Sequence, residues 1–193
     1  MTTAVIGVLA LQGAFARHGL MLDSIGSPHV EVRTPAQLAD VDALIIPGGE
    51  STTMSMMLER AELFGPLAER LSAGLAVFGT CAGAILLATT ILDGRDDQVC
   101  CGALDIDIQR NGYGRQVDSF EADIEVAVFG PPPLPAVFIR APRILRVGGA
   151  VEVMAEFEGD PVLCRQGAVM ASTFHPELGR DVRAHVAFVA SLS

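Results

Sequence analysis

Basic side chains are scarce in this sequence: 13 Lys and Arg stand against 23 Asp and Glu, a formal net charge of −10. With no basic patch or Arg/Lys stripe, a nucleic-acid phosphate backbone is excluded as a partner. Cysteine is sparse too. Cys81, Cys100, Cys101 and Cys164 are too few for a disulfide scaffold and lack the paired spacing of a zinc site, so neither a metal nor a cofactor is expected. The longest apolar runs are strand-sized, too short for a membrane-spanning helix. The opening residues Met1 to Val8 have neither the basic flank nor the long apolar core of a signal peptide, and the cytoplasm is the expected compartment. No internal repeat or low-complexity tract is visible.

What the chain does have is apolar residue along its whole length. Half of its 193 residues are hydrophobic, enough to fill one core and short for two, so residues 1–193 read as a single domain. In the first half, buried-strand runs (Ala4 to Ala10, Val30 to Arg33, Ala43 to Ile46, Leu75 to Phe78) alternate with helical patterns from about Gly13 to Ser24, from near Ser51, and from Ala82 to Thr90. Ser51 or Thr52 is the expected cap of the second helix, with Glu50 favouring its positive end. The second half is strand-like at Leu104 to Gln109, Glu121 to Phe129, Val137 to Arg140, Ile144 to Val147, Val151 to Glu158, Val162 to Arg165 and Val169 to Phe174, and Val182, Val186 and Val189 have helical spacing. Strand–helix succession followed by turn-separated strands predicts a three-layer α/β/α fold, flavodoxin-like, with a mostly parallel central sheet and an antiparallel extension.

Three segments carry chemistry. Gly79-Thr80-Cys81-Ala82-Gly83 follows a strand and opens a helix, the context in which a glycine-flanked nucleophile is meaningful. Such a turn is tight enough to require small residues on either side, and a thiol there faces the positive end of the helix dipole. The plain alternative is a strand–helix turn carrying a buried cysteine. Phe174-His175-Pro176-Glu177 supplies a base at a strand end, with a carboxylate two residues on that can fix its tautomer. Here the alternative is a surface His beside a surface Glu. His18 and His185 on helices, and His29 in a loop beside Pro28, are competing bases without a comparable setting. Pro47-Gly48-Gly49-Glu50-Ser51 is a glycine loop at a strand's carboxyl end. It has no Lys and no P-loop spacing, so an oxyanion hole built from the Gly49 and Ala82 N–H groups fits better than a nucleotide phosphate site. In open α/β sheets these loops fall at one edge, where ligands bind.

Together these segments resemble the class I (triad) glutamine amidotransferases. Further stretches narrow the likeness: Gly7 to Gly13, Pro47 to Met54, Phe78 to Gly83, Gln109-Arg110-Asn111, Gly114 to Glu121, Phe138 to Pro142, and Ser172 to Glu177. They resemble the subfamily of glutaminase subunits of pyridoxal 5′-phosphate synthase over nearly the whole chain. The Pro131-Pro132-Pro133 loop and the Asp96-Asp97 turn look like local variation. The resemblance implies Cys81 as nucleophile, His175 as acid and base, and Glu177 as its orienter. It implies a glutamine pocket of Gly49, Glu50, Ser51, Arg110, Ile139 and Arg140, with Arg110 suited to a carboxylate. For Arg110 and Arg140 the residues alone favour surface salt bridges. It also implies that Gln12 helps set the oxyanion loop when a partner docks. That partner would be a (β/α)8-barrel synthase subunit that takes the ammonia and builds pyridoxal phosphate from ribose 5-phosphate and glyceraldehyde 3-phosphate. Two other readings stay open: a γ-glutamyl peptidase with the same three residues, and a non-catalytic regulatory subunit. The intracellular protease and deglycase group places a His directly after its nucleophile, where this chain has Ala82.

Overall fold

Strands buried on both faces dictate the centre of the molecule. In the computed structural model, which describes residues 4–95, 98–112 and 119–192, β1 (Ile6–Leu9), β3 (Ala43–Ile46) and β12 (Val169–Ser172) are buried at every position. With β2 (His29–Val32), β4 (Ala76–Thr80), β10 (Glu152–Phe157) and β11 (Asp160–Gln166) they form a seven-stranded sheet in the order β10-β11-β12-β4-β3-β1-β2. The ladders from β12 through β2 are parallel, and β10-β11 and β11-β12 are antiparallel. This is the expected parallel sheet with an antiparallel extension.

Successive side chains of a strand point to opposite faces, and the core divides accordingly. Leu9, Leu44, Ile46 and Val77 pack on one face with Leu38 of α2 (Pro35–Ala39), Met54 and Leu58 of α3 (Ser51–Arg60), Leu67 of α4 (Phe64–Ser72) and the apolar body of α5 (Ala82–Leu87). Ile6, Val8, Ile45 and Phe78 face the other way, toward Leu22 of α1 (Phe15–Ser24) and Ala184 and Phe188 of α6 (Arg183–Ala190). Helices therefore cover both sides. Among the described residues no helix is long and apolar enough to cross a membrane.

Two smaller sheets flank the site end: β5 (Ala88–Ile91), β6 (Leu104–Gln109) and β9 (Arg143–Val147), and the hairpin of β7 (Ser119–Ile124) and β8 (Leu134–Ile139). Several local expectations change. The helix after Cys81 ends at Leu87, and residues 88–91 pair with β6 instead. The strand expected to run to Phe129 stops at Ile124, and Ala127–Phe129 form a 3-10 turn. His29 begins β2 rather than lying in a loop. α3 is capped by Glu50, not by Ser51 or Thr52. Two helices join those read from periodicity: α4, and α2, whose Thr34–Gln37 pair forms a capping box with Pro35 in the first turn. The Asp96-Asp97 turn and Gly114 to Asp118 lie outside the described residues.

Candidate active site

β4 delivers Cys81 to the carboxyl edge of the sheet, and the turn into α5 holds it at φ 49°, ψ −102°. A non-glycine residue in the left-handed region is strained, and persists where its surroundings over-determine it. The flanking glycines make the turn possible. A Cβ on Gly79 would lie 2.6 Å from Leu87 Cδ1 and 2.7 Å from the Gly83 backbone; one on Gly83 would lie 2.2 Å from the Ile46 carbonyl oxygen. The Cys81 N–H donates to the Ser172 carbonyl at 2.8 Å, tying the turn to β12.

β12 then brings in the base. The His175 N–H donates to the Val137 carbonyl at 2.8 Å, which fixes the residue beside β8. Its Nδ1 lies 2.7 Å from Glu177 Oε1, and the imidazole and Cys81 line the same cleft. With Nδ1 committed to the carboxylate, Nε2 is the nitrogen left for the thiol. Burial alone would lower the His175 pKa. Its interactions with Cys81 and Glu177 outweigh it and push the value up to about 10. Burial would raise Glu177, but its bond to His175 and the nearby imidazoles hold it below the usual carboxylate range. A cysteine thiol, an imidazole and a carboxylate hydrogen-bonded to that imidazole thus lie together.

The glycine loop completes the wall. Gly48 passes so close to this pair that a Cβ on it would sit 2.3 Å from His175 Cε1 and 3.2 Å from Cys81 Cβ. The Gly48 carbonyl accepts from the Ala14 N–H at 3.3 Å. In a trans peptide the N–H points opposite to the C=O, so the Gly49 N–H is directed away from the start of α1. Gln12 braces the same loop: its Nε2 donates to the Glu50 carbonyl at 3.0 Å, and the Glu50 N–H donates to its Oε1 at 3.4 Å. Ala82 opens α5, where the first N–H groups have no partner within the helix.

The cleft over Cys81 measures about 250 Å³. Gly49, Glu50, Ser51, Arg110, Ile139 and Arg140 all line it with Cys81 and His175, so every pocket residue expected from sequence is brought together. Ile85 joins them without a signal of its own in the sequence, and Asn111 joins them as part of the Gln109-Arg110-Asn111 stretch, though the resemblance does not assign it to the pocket. The Glu50 carboxylate accepts from the Thr52 and Thr53 N–H groups at 3.1 and 2.6 Å, capping α3. Burial would raise its pKa, yet its bonds to Thr53 and Thr52 lower it to about 2. It also receives Arg110 Nη2 at 3.0 Å, whereas Arg110 Nε is buried with no partner among the described residues. Arg140 stands at φ 42° directly after β8. Among the described residues no cluster of His, Cys, Asp and Glu is arranged to hold a metal.

Comparison with known proteins decides the family. The profile of the SNO glutamine amidotransferase family matches residues 8–193. The chain belongs to that family. Pyridoxal 5′-phosphate synthase subunit PdxT of Frankia alni is 53% identical over 95% of this chain and 92% of its own. The protein of the same name from Mycobacteroides abscessus is 53% identical over 96% of this chain and 95% of its own. A crystal structure of a glutamine amidotransferase, 46% identical, superposes with a TM-score of 0.91 over 97% of this chain and 98% of its own. PurLQS from Thermotoga maritima, at 14% identity and a TM-score of 0.71, shares the fold. Within this amidotransferase, His18 and His185 have a setting that their helical positions did not announce: both are fully buried behind Glu177.

Proposed function

We propose that this protein hydrolyses L-glutamine to L-glutamate and ammonia, as the glutaminase subunit of a pyridoxal 5′-phosphate synthase. The observation that carries the chemistry is the bond between His175 and Glu177 beside Cys81 in a cleft of amino-acid size. The raised His175 pKa favours an imidazolium beside the Cys81 sulfur. The thiolate attacks the side-chain amide carbon. The oxyanion accepts hydrogen bonds from the Gly49 and Ala82 N–H groups. His175 gives its proton to the departing nitrogen, leaving a glutamyl thioester. It then takes a proton from water, which attacks the thioester and releases glutamate. Glu177 keeps the imidazole in the required tautomer throughout. Arg110, whose Nε has no partner among the described residues, meets the substrate carboxylate, and Glu50, Ser51, Ile139 and Arg140 complete the pocket.

Released ammonia is protonated in water and ceases to be a nucleophile, so the product needs a receiving enzyme. The relatives' names specify a subunit of pyridoxal 5′-phosphate synthase, and we assign the partner as its (β/α)8-barrel synthase subunit. Gln12, already braced against the oxyanion loop, is the residue through which docking acts. Residues 1–193 act as one amidotransferase domain in the cytoplasm, a compartment in keeping with four unpaired cysteines.

Glutamate release from glutamine, measured with and without added synthase subunit, tests this. Turnover rises on adding the synthase and is abolished in Cys81→Ala. Undiminished turnover in Cys81→Ala would sink the mechanism, and equal activity with and without the synthase would sink the coupling. Preference for γ-glutamyl peptides over glutamine would favour the peptidase reading instead.

A further inference from the structure

Behind the three site residues lies a group of polar side chains the mechanism does not use. His18 of α1 and His185 of α6 are both fully buried, on the helix-covered face that also holds Phe78 and Phe188. His18 Nδ1 lies 2.9 Å from His185 Nε2. His18 Nε2 lies between Thr80 Oγ1, at 3.2 Å, and Glu177 Oε2, at 3.4 Å. Oε2 is the carboxylate oxygen that His175 leaves unused; it is buried and makes no hydrogen bond among the described residues, His18 Nε2 at 3.4 Å being the imidazole nitrogen that faces it. Thr80 is the residue before the nucleophile, so the cluster touches the base's orienter and the nucleophile's own strand.

The tautomers follow from what each arrangement would leave unsatisfied. Burial lowers both imidazoles, His18 to about 4 and His185 to about 3, so both are neutral near pH 7. In one arrangement His18 carries its proton on Nδ1 and donates to His185. Its Nε2 lone pair can then accept from the Thr80 hydroxyl but still faces an ionised carboxylate, and the His185 Nδ1–H is buried with no acceptor among the described residues. In the other, His185 Nε2–H donates to His18 Nδ1, and His18 Nε2–H faces Glu177 Oε2 and Thr80 Oγ1. His185 Nδ1, which has no partner among the described residues in either arrangement, then presents a lone pair rather than a proton. A lone pair against a carboxylate together with an orphaned donor costs more than one orphaned lone pair. The second arrangement holds.

We propose that His18, fixed in its Nε2–H tautomer by His185, is a positioning residue for Glu177. Its N–H holds Oε2 so that Oε1 stays aimed at His175 Nδ1. Because both histidines are neutral, they orient the carboxylate without cancelling the negative charge that stabilises the His175 imidazolium. The pattern extends the Cys–His–Glu run by two members, Cys81–His175–Glu177–His18–His185, and joins the helices of one face to the reacting thiol. It rests on the glutaminase reading of the site.

The test uses His18→Leu, which removes the donor, beside His18→Gln, whose amide N–H reaches where Nε2 stands, and His18→Asn, whose amide reaches only the Nδ1 position. Glutaminase turnover is measured with the synthase subunit present. Alkylation of Cys81 by iodoacetamide at pH 7 is followed by peptide mass spectrometry on the same proteins without substrate. His18→Leu is expected to lower kcat about 10- to 100-fold, the loss seen when the group that orients a metal-ligating histidine from behind is removed, with KM for glutamine unchanged. Alkylation of Cys81 slows with it, and His18→Gln restores both. The proposal is overturned if a folded His18→Leu keeps wild-type kcat and alkylation rate, or if His18→Gln and His18→Leu are equally impaired while both fold. Should His18→Leu fail to fold, the Gln and Asn variants decide: Asn active and Gln impaired would also overturn it. A wild-type protein that releases no glutamate would instead refute the glutaminase reading, and the alkylation rates would still report on the thiol–imidazole pair.

Discussion

At the scale of single residues, the site is defined as much by what is missing as by what reacts. Gly48 has no side chain because His175 and Cys81 occupy the space one would need. Gly48→Ala should therefore push the imidazole off its line to the thiol while the fold survives. A displacement of this order costs about 100-fold in turnover, read as kcat with the thermal melt as control; a fully active, normally folded variant would contradict the packing. Cys81, His175 and Glu177 were legible in the sequence because strand-end placement and glycine spacing are local signals. His18 and His185 were not, since each sits on a helix with nothing in its neighbourhood to announce a polar partner. They lie 167 residues apart and meet only when α1 and α6 pack on the same face. Gly48 was visible as part of the loop, but the close approach that requires it depends on where His175 comes to rest.

At the scale of elements, the loop after β3 does two tasks with one carboxylate. Glu50 caps α3 through Thr52 and Thr53 and pairs with Arg110 at the cleft. Glu50→Ala is expected to lose about 1 kcal/mol of stability from the cap and to raise KM for glutamine as Arg110 loses its anchor. A urea titration and a substrate titration measure the two effects separately, and an unchanged KM would show that Arg110 keeps its place without Glu50. The sequence marked a helix start here but not which residue caps it, because Glu is an uncommon cap and Ser and Thr are favoured ones. The short helix α2 illustrates the converse. Its Thr34-Pro35-Ala36-Gln37 start carries a full capping-box signal, yet five residues are too few for hydrophobic periodicity to register. The parallel strands were easier to read, since strands buried on both faces are continuous apolar runs. The end of α5 at Leu87 was hidden because the apolar run continues into β5, and periodicity alone does not separate a buried helix from a buried strand.

At the scale of the whole molecule, buried histidines set the pH range of stability. His18 and His185 have folded pKa values of about 4 and about 3, below the ordinary 6.5. The unfolded chain therefore binds more protons than the folded one below about pH 6.5. Their contribution is complete above that pH and is lost as pH falls toward 4. For His18 the shift is worth on the order of 3 kcal/mol. His175, raised to about 10, acts in the opposite sense: its contribution is complete below 6.5 and lost as pH rises through 10. Denaturation midpoints measured from pH 4 to 10 should fall on the acid side before any carboxylate titrates. Replacing His185 with Phe should flatten that limb, and an unaltered acid limb would assign the loss to other groups.

The place of β12 in the sheet bears on how the protein is made. This strand lies between β4 and β11 and is hydrogen-bonded to the strand that ends at the nucleophile, yet it follows β4 by nearly half the chain. Chains leave the ribosome from the amino end, at roughly 5–20 residues per second. Cys81 thus emerges several seconds before His175, Glu177 and His185, as a thiol without a base. A nascent chain carrying the nucleophile cannot consume glutamine in the cell until its last strand has slid into the middle of the sheet.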